Sequence, residues 1–273
     1  MHVSELWLYP LKGAAGIPVQ EWPLDSFGLK HDRRWMVIDA EGSFVTQRAE
    51  PALGRLAQSI EGGSLIVRAP GAGELRLALA PEAGAPVRVR VWRDDVAAVD
   101  GGAEAAAFIT SYLGRDSRIV HMPDDSVRPV NPEHARSGDR LSFADGFPLL
   151  LIGAASLEEL NRRLDEPVEM RRFRPNIVVT GAEPHGEDSW RTIRIGTVVC
   201  DVVKPCSRCL VTTLDPATGT AGREPLRTLG GYRRWNGKVW FGQNVIHRGM
   251  GALSPGDSVE VLDSRDPEPP LLM

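Results

Sequence analysis

A β-rich α+β fold in two parts is what this chain predicts, on three observations. Val87-Arg88-Val89-Arg90-Val91-Trp92 alternates strictly, as a half-buried strand does. Short apolar runs recur between turn signals such as Asp39-Ala40-Glu41-Gly42 and Pro70-Gly71-Ala72-Gly73, which suits an antiparallel sheet or a small barrel. Helical patterns are few and flank the middle of the chain and its second part.

The elements follow in order. Leu6 and Leu8 alternate with Trp7 and Tyr9 before a loop, Pro10-Leu11-Lys12-Gly13-Ala14-Ala15-Gly16. Arg34-Trp35-Met36-Val37-Ile38 and Ser43-Phe44-Val45-Thr46 flank the first turn signal, and Leu65-Ile66-Val67 and Leu75-Arg76-Leu77-Ala78-Leu79 the second. An Ala-rich helix is expected from Ala103 to Leu113, closed by Gly114. Ser156-Leu157-Glu158-Glu159 has capping-box spacing and predicts a helix opening there and running to about Leu164, with Arg162 and Arg163 in its last turn. Asn176-Ile177-Val178-Val179, Thr192-Ile193-Arg194-Ile195 and the run from Val198 to Val203 read as strands, the last two joined through Gly196. Ser258-Val259-Glu260-Val261-Leu262 is the expected final strand, and the Pro- and Asp-rich tail from Asp263 is expected to be loose. Pro123 and Pro129 interrupt the pattern, so the division falls at 1–122, 123–262 and the tail 263–273.

With 42% hydrophobic and 25% charged residues, the composition is that of an ordinary globular protein able to bury a sizeable core. A net charge of −4 predicts neither a nucleic-acid nor a membrane-surface partner. Lysine occurs only at 12, 30, 204 and 238, the rest of the 32 cations being arginine, an excess that genomic codon bias explains. The start lacks a secretory signal and no run approaches the ~18 apolar residues of a membrane span. Three cysteines that do not pair evenly fit a reducing compartment, so a cytoplasmic protein is expected.

The most informative stretch is Lys204-Pro205-Cys206-Ser207-Arg208-Cys209, followed by Leu210-Val211-Thr212-Thr213-Leu214-Asp215-Pro216. Two thiols stand three apart among cations, just past a strand, which biases them toward thiolate. A structural zinc site wants a second Cys or His pair, and none exists at matching spacing. A thioredoxin-like pair opens a helix, whereas the β-branched run after Cys209 looks extended. An iron–sulfur cluster takes four cysteines, and the chain has three. Two half-buried structural thiols are the remaining bland reading.

Other segments have the look of functional loops: His31-Asp32-Arg33-Arg34-Trp35, Phe173-Arg174-Pro175-Asn176, Glu187-Asp188-Ser189-Trp190 and Phe241-Gly242-Gln243-Asn244. Together with Tyr9-Pro10-Leu11-Lys12-Gly13 and Cys206-Ser207-Arg208-Cys209, and in this order, they resemble the MOSC family, named after the C-terminal domain of molybdenum cofactor sulfurase. The branch they resemble contains the amidoxime-reducing components and the bacterial N-hydroxylaminopurine reductases. The resemblance covers roughly residues 1–262 and implies a MOSC N-terminal β-barrel-like domain packed on a MOSC β-barrel domain with flanking helices.

It also implies a molybdenum cofactor between the two domains, with Cys209 as the protein thiolate on the metal. The pterin-phosphate contacts carry over to Lys12, Arg33, Arg174, Asn176, Ser207 and Arg208, and Arg208 is expected to keep Cys209 ionised. Lys12, Arg33, Arg174 and Arg208 should therefore converge on one anion site. Where the mitochondrial relatives have Ser after the matching lysine, this chain has Gly13. Asp188 is a candidate proton-handling or loop-ordering group, and reads equally well as a turn residue.

The activity implied is reduction of small N-oxygenated compounds: amidoximes, hydroxylamines or N-hydroxylated bases. The chain shows neither a cluster motif nor a G-x-G-x-x-G fingerprint, so its electrons are expected from a separate ferredoxin- or cytochrome-type carrier and its reductase. The rival is a cofactor carrier or persulfide-handling module without turnover of its own; Lys12 and Arg33 in the first part favour the reductase. Pyridoxal-phosphate catalysis is not expected: it needs a Schiff-base lysine, and none of the four lysines sits in a convincing site, Lys204 being the least poor.

Overall fold

In the computed structural model, residues 1–81 and 84–267 are described. Among them the largest sheet has nine strands. Its path runs Val259–Ser264, Trp190–Ile195, Val198–Arg208, Lys238–His247, Leu149–Gly153, Ile177–Thr180, His2–Leu8 and Ile17–Pro18, with Arg234–Trp235 attached to Lys238–His247. A second sheet orders Trp35–Asp39, Ser117–His121, Asp94–Asp100 and Pro86–Val91. Ala57–Glu61, Ser64–Ala69 and Gly73–Ala78 form a three-stranded meander packed, with helix Ala103–Leu113, against Trp35, Val37 and Ile119.

The first strand does not stay with the first half. His2–Leu8 pairs antiparallel with Ile177–Thr180, and Trp22–Asp25 pairs with Ala252–Leu253. Val3, Leu6, Leu8, Leu24 and Leu29 are consequently buried in one core with Leu151, Ile177, Ile193 and Val245. A division at residue 122 thus separates the chain in sequence but not in space.

Leu149–Gly153 pairs parallel with Ile177–Thr180, and helix Ala154–Asn161 lies in the crossover between them. The strand is a continuous apolar run covered on both faces, so it shows none of the alternation of a half-buried strand. The helix begins two residues before the expected cap and stops at Asn161, not near Leu164. Ser156 lies inside it because its hydroxyl serves another partner: it donates to the Glu187 carboxylate at 2.8 Å and accepts from His185 N–H. Glu187 itself takes the Gly153 N–H at the helix entrance, where a negative charge is favoured.

Val198–Arg208 buries Val198, Cys200 and Val202 by alternation, then breaks register against Lys238–His247 between Val202 and Lys204 and again between Pro205 and Ser207. Such bulges re-aim side chains, and Cys206, Ser207 and Arg208 at this irregular end of the strand all line one cleft. The Phe241-Gly242-Gln243-Asn244 segment is not a loop but the middle of Lys238–His247. Gly242 has φ +77, and a Cβ there would lie 2.6 Å from the Ile152 side chain. The last strand extends to Ser264, two residues into the expected tail; residues 268–273 lie outside the described part.

Burial makes acid a destabilising agent for this fold. His121 packs on Trp35 and His185 beside Tyr232, and desolvation pushes each imidazole down to about 3. The unfolded chain binds these protons near pH 6.5, so the stabilisation is complete above that pH and is lost as pH falls toward about 3. Each histidine should contribute a slope of up to roughly 1.4 kcal/mol per pH unit in that window. Urea titrations at several pH values between 7 and 4.5 should show it, with His121→Gln flattening the dependence.

Candidate active site

The two halves meet around a cleft of about 1070 Å³. The first half contributes Lys12, Arg33, Phe44, Arg48, Trp92 and Arg93; the second contributes Arg172, Arg174, Lys204, Cys206, Ser207, Arg208, Cys209 and Asn244. Arg128 and Asp145 come from the segment between. Among the described residues nine Lys and Arg side chains line the cleft against three carboxylates, in a chain of net charge −4. The cleft therefore concentrates positive potential that the rest of the surface opposes.

Lys12, Arg33, Arg174 and Arg208 all reach it, although they come from four separate segments. Arg33 and Arg174 share one aromatic ring: their guanidinium carbons lie 4.5 and 4.4 Å from the Tyr9 centroid. Both have left-handed backbones, at φ 51 and 56. Non-glycine residues held so are costly, by about 1–3 kcal/mol each, and cluster at functional sites. Three contacts hold the pair. Arg33 is ion-paired with buried Asp32, which also accepts the Tyr9 N–H; Arg33 donates to the Asn176 amide oxygen at 3.1 Å; and Arg174 donates to Ala14 O at 2.7 Å.

Asn176 is fully buried, and its amide is engaged by Trp7 O, Leu150 N–H and Arg33. It fastens three strands under the cleft as well as lining it. Burial lowers the Arg174 guanidinium to about 10 and raises the Tyr9 phenol to about 12, so at neutral pH two like charges flank a neutral ring.

At the other wall Lys12 donates to Phe143 O at 2.7 Å and to Asp145. Asp145 was not foreseen. Its carboxylate is exposed in the cleft, pairs with Lys12 and accepts the Trp92 indole N–H, and the Lys12 ammonium holds it down at about 2. The signal available in sequence was only an acid in a polar loop.

It is the partner of Arg208, not the thiols themselves, that differs from expectation. Arg208 does not reach Cys209; its Nη1 lies 3.1 Å from Cys206 Sγ, and its Nη2 donates to Phe173 O. Residues two apart on a strand share a face, which puts Arg208 with Cys206. Cys209 is exposed at the cleft and begins a 3-10 turn, Leu210–Thr213, where an extended segment was expected. The Thr212 and Thr213 hydroxyls bond back to the carbonyls of Cys209 and Leu210, which outweighs their β propensity. Cys200 is a core thiol, raised by burial to about 12.

Asp188 is not brought to the cleft. It is buried, takes both Arg233 guanidinium nitrogens at 2.8 and 3.2 Å, and accepts the Gln243 amide as well. Ser207 stands exposed at the second bulge and lines the cleft.

Among the described residues no three His, Cys, Asp or Glu side chains gather as a metal cage. The donor set instead suits an anion brought in whole. Tyr9 Oη and Arg208 Nε are buried without a partner among the described residues, and the cations around them exceed their counter-ions. A phosphorylated organic group offering acceptors fits this cradle.

Fold and cleft define a two-part β protein with its site at the junction, and the family comparison agrees. Residues 1–116 match the MOSC N-terminal beta barrel domain and residues 138–260 the MOSC domain. The chain belongs to the MOSC-domain family that contains the amidoxime-reducing components. It is 36% identical to the Homo sapiens mitochondrial amidoxime-reducing component 1, over 95% of this chain and 82% of that one. It is 37% identical to the Homo sapiens mitochondrial amidoxime reducing component 2, over 85% and 72%, and 35% identical to the Danio rerio component 1, over 94% and 83%. These relatives are mitochondrial by name, whereas the sequence alone suggested a cytoplasmic protein. No described helix is long and apolar enough to cross a membrane.

Proposed function

We propose that this chain is a molybdenum-cofactor-dependent reductase of N-oxygenated compounds such as amidoximes and hydroxylamines, supplied with electrons by a separate iron–sulfur or haem carrier. The observation that carries the reading is the convergence of an exposed thiol, Cys209, with Lys12, Arg33, Arg174 and Arg208 in one cation-rich cleft. It occurs in a chain 36% identical to an amidoxime-reducing component over 95% of its length.

Arg33, Arg174, Arg208 and Ser207 would hold the phosphate and pterin, and Cys209 would bind the metal as a soft thiolate. When bound, the cofactor supplies a two-electron centre able to take oxygen from nitrogen. In the overall conversion an amidoxime accepts two electrons and two protons, its N–O bond breaks, and an amidine and water leave. Asn176 and Asp32 fix Arg33, Ala14 O holds Arg174 and Phe173 O holds Arg208, so little side-chain ordering remains when an anion enters. The walls from both halves limit water around the reacting group.

The test is production in a host that makes the cofactor, followed by metal analysis and turnover. Molybdenum should be equimolar with the chain. Benzamidoxime reduction should proceed with reduced viologen and fail with NADH or NADPH alone. Full molybdenum loading without turnover on any N-oxygenated compound would favour a carrier or sulfur-handling module instead, and sustained turnover on NADH alone would reveal an overlooked redox site.

A further inference from the structure

Strands Pro86–Val91 and Asp94–Asp100 pair so that Val91 faces Asp94, which leaves Trp92 and Arg93 as the whole turn. Of these two residues Trp92 alone has positive φ, at 57. A two-residue hairpin turn of that form takes glycine at its first position, and a bulky side chain there is a genuine outlier. The ring is fixed rather than loose. The Arg48 guanidinium lies over it at 5.0 Å, Phe44 meets it edge-on at 4.8 Å, and its N–H donates to Asp145 at 3.2 Å. Yet 44% of Trp92 is exposed, and it lines the cleft into which Cys209 opens. Neither turn chemistry nor core filling accounts for it. A rigid, part-exposed aromatic ring lining a cleft suits stacking on a flat ligand, because little rotamer freedom is lost on contact.

We infer that Trp92 is the stacking residue of the substrate subsite, and that it selects planar aromatic N-oxygenated compounds over small aliphatic ones. The inference rests on the reductase reading and names the substrate class of that cleft.

Two variants test it. Trp92→Gly suits the turn and so keeps the fold, which an undiminished melting temperature checks; Trp92→Phe keeps a smaller ring. On cofactor-loaded protein with reduced viologen, Trp92→Gly should lower kcat/KM for benzamidoxime at least about fivefold, mainly through KM, the low end of aromatic stacking. Acetamidoxime should lose less, so that the benzamidoxime-to-acetamidoxime ratio falls, and Trp92→Phe should fall between. Independently, in cofactor-free protein the Trp92 indole N–H resonance, identified by its loss in Trp92→Phe, should shift as benzamidoxime is added.

An unchanged benzamidoxime-to-acetamidoxime ratio in Trp92→Gly, or an unmoved indole resonance, overturns the inference. So does a loss seen only when a protein carrier supplies the electrons, which would make Trp92 part of the donor's docking surface. Should the wild-type chain reduce neither compound, the reductase reading falls, and the indole resonance still decides whether Trp92 binds flat ligands.

Discussion

Cys209→Ala should remove amidoxime reduction and strip molybdenum from the purified protein, while Cys206→Ala keeps much of both. The two thiols are three residues apart and line the same cleft, but they differ in exposure and in partner. Cys206 is half-buried on a strand and faces Arg208 at 3.1 Å; Cys209 is exposed beyond the strand's end, at the mouth of the 3-10 turn. A metal carried in on its own pterin needs a thiol that is open, and only one of the pair is. The loss at Cys209 should exceed the ~10–100-fold that removing a ligand's supporting partner costs at metal sites. Cys206→Ala frees Arg208 Nη1 and should have a smaller effect. Metal content and turnover measured together check the assignment, and the opposite pattern would exchange the two roles.

The second large effect is on stability. Arg233→Ala should destabilise the fold by about 3–5 kcal/mol, because it strands the Asp188 carboxylate without its cation. The two side chains are 2% and 3% exposed, so water cannot replace the lost partner. For a chain of this size the melting temperature should fall by roughly 6–20 °C. Below that temperature, turnover per molybdenum should change little, since neither residue lines the cleft. A large loss of turnover with unchanged melting would restore Asp188 as a proton-handling candidate.

What the sequence displayed, and what it hid, follows from the range of the forces involved. Val87 to Val91, Thr192 to Ile195 and Val198 to Val203 read correctly because alternation is local and burial is one-sided. Four cations of the cleft, Lys12, Arg33, Arg174 and Arg208, were legible through motif order, whereas Arg48, Arg93, Arg128 and Arg172 were not. Two errors came from local rules overruled at a distance. Ser156 had cap spacing but was claimed by Glu187, 31 residues away, and Arg208 turned toward Cys206 because two register breaks decide which face it takes. Asp145 carried no sequence signal, its placement depending on Lys12, and Trp92, read as the end of an alternating strand, lies instead in the turn that follows Val91.

The pairing of His2–Leu8 with Ile177–Thr180 has a consequence for how the chain is made. Trp7 and Asn176, hydrogen-bonded in the finished fold, are 169 residues apart. At translation rates of about 5–20 residues per second, the early strand waits roughly 8–35 s for its partner. During that interval its apolar face, Val3, Leu6 and Leu8, has no sheet to join. The second half, for its part, cannot close its barrel from its own residues. Folding of the first half should therefore not finish before the second is under way: the earliest segment waits for residues 177–180, and a chaperone that shields it should raise the yield of native protein.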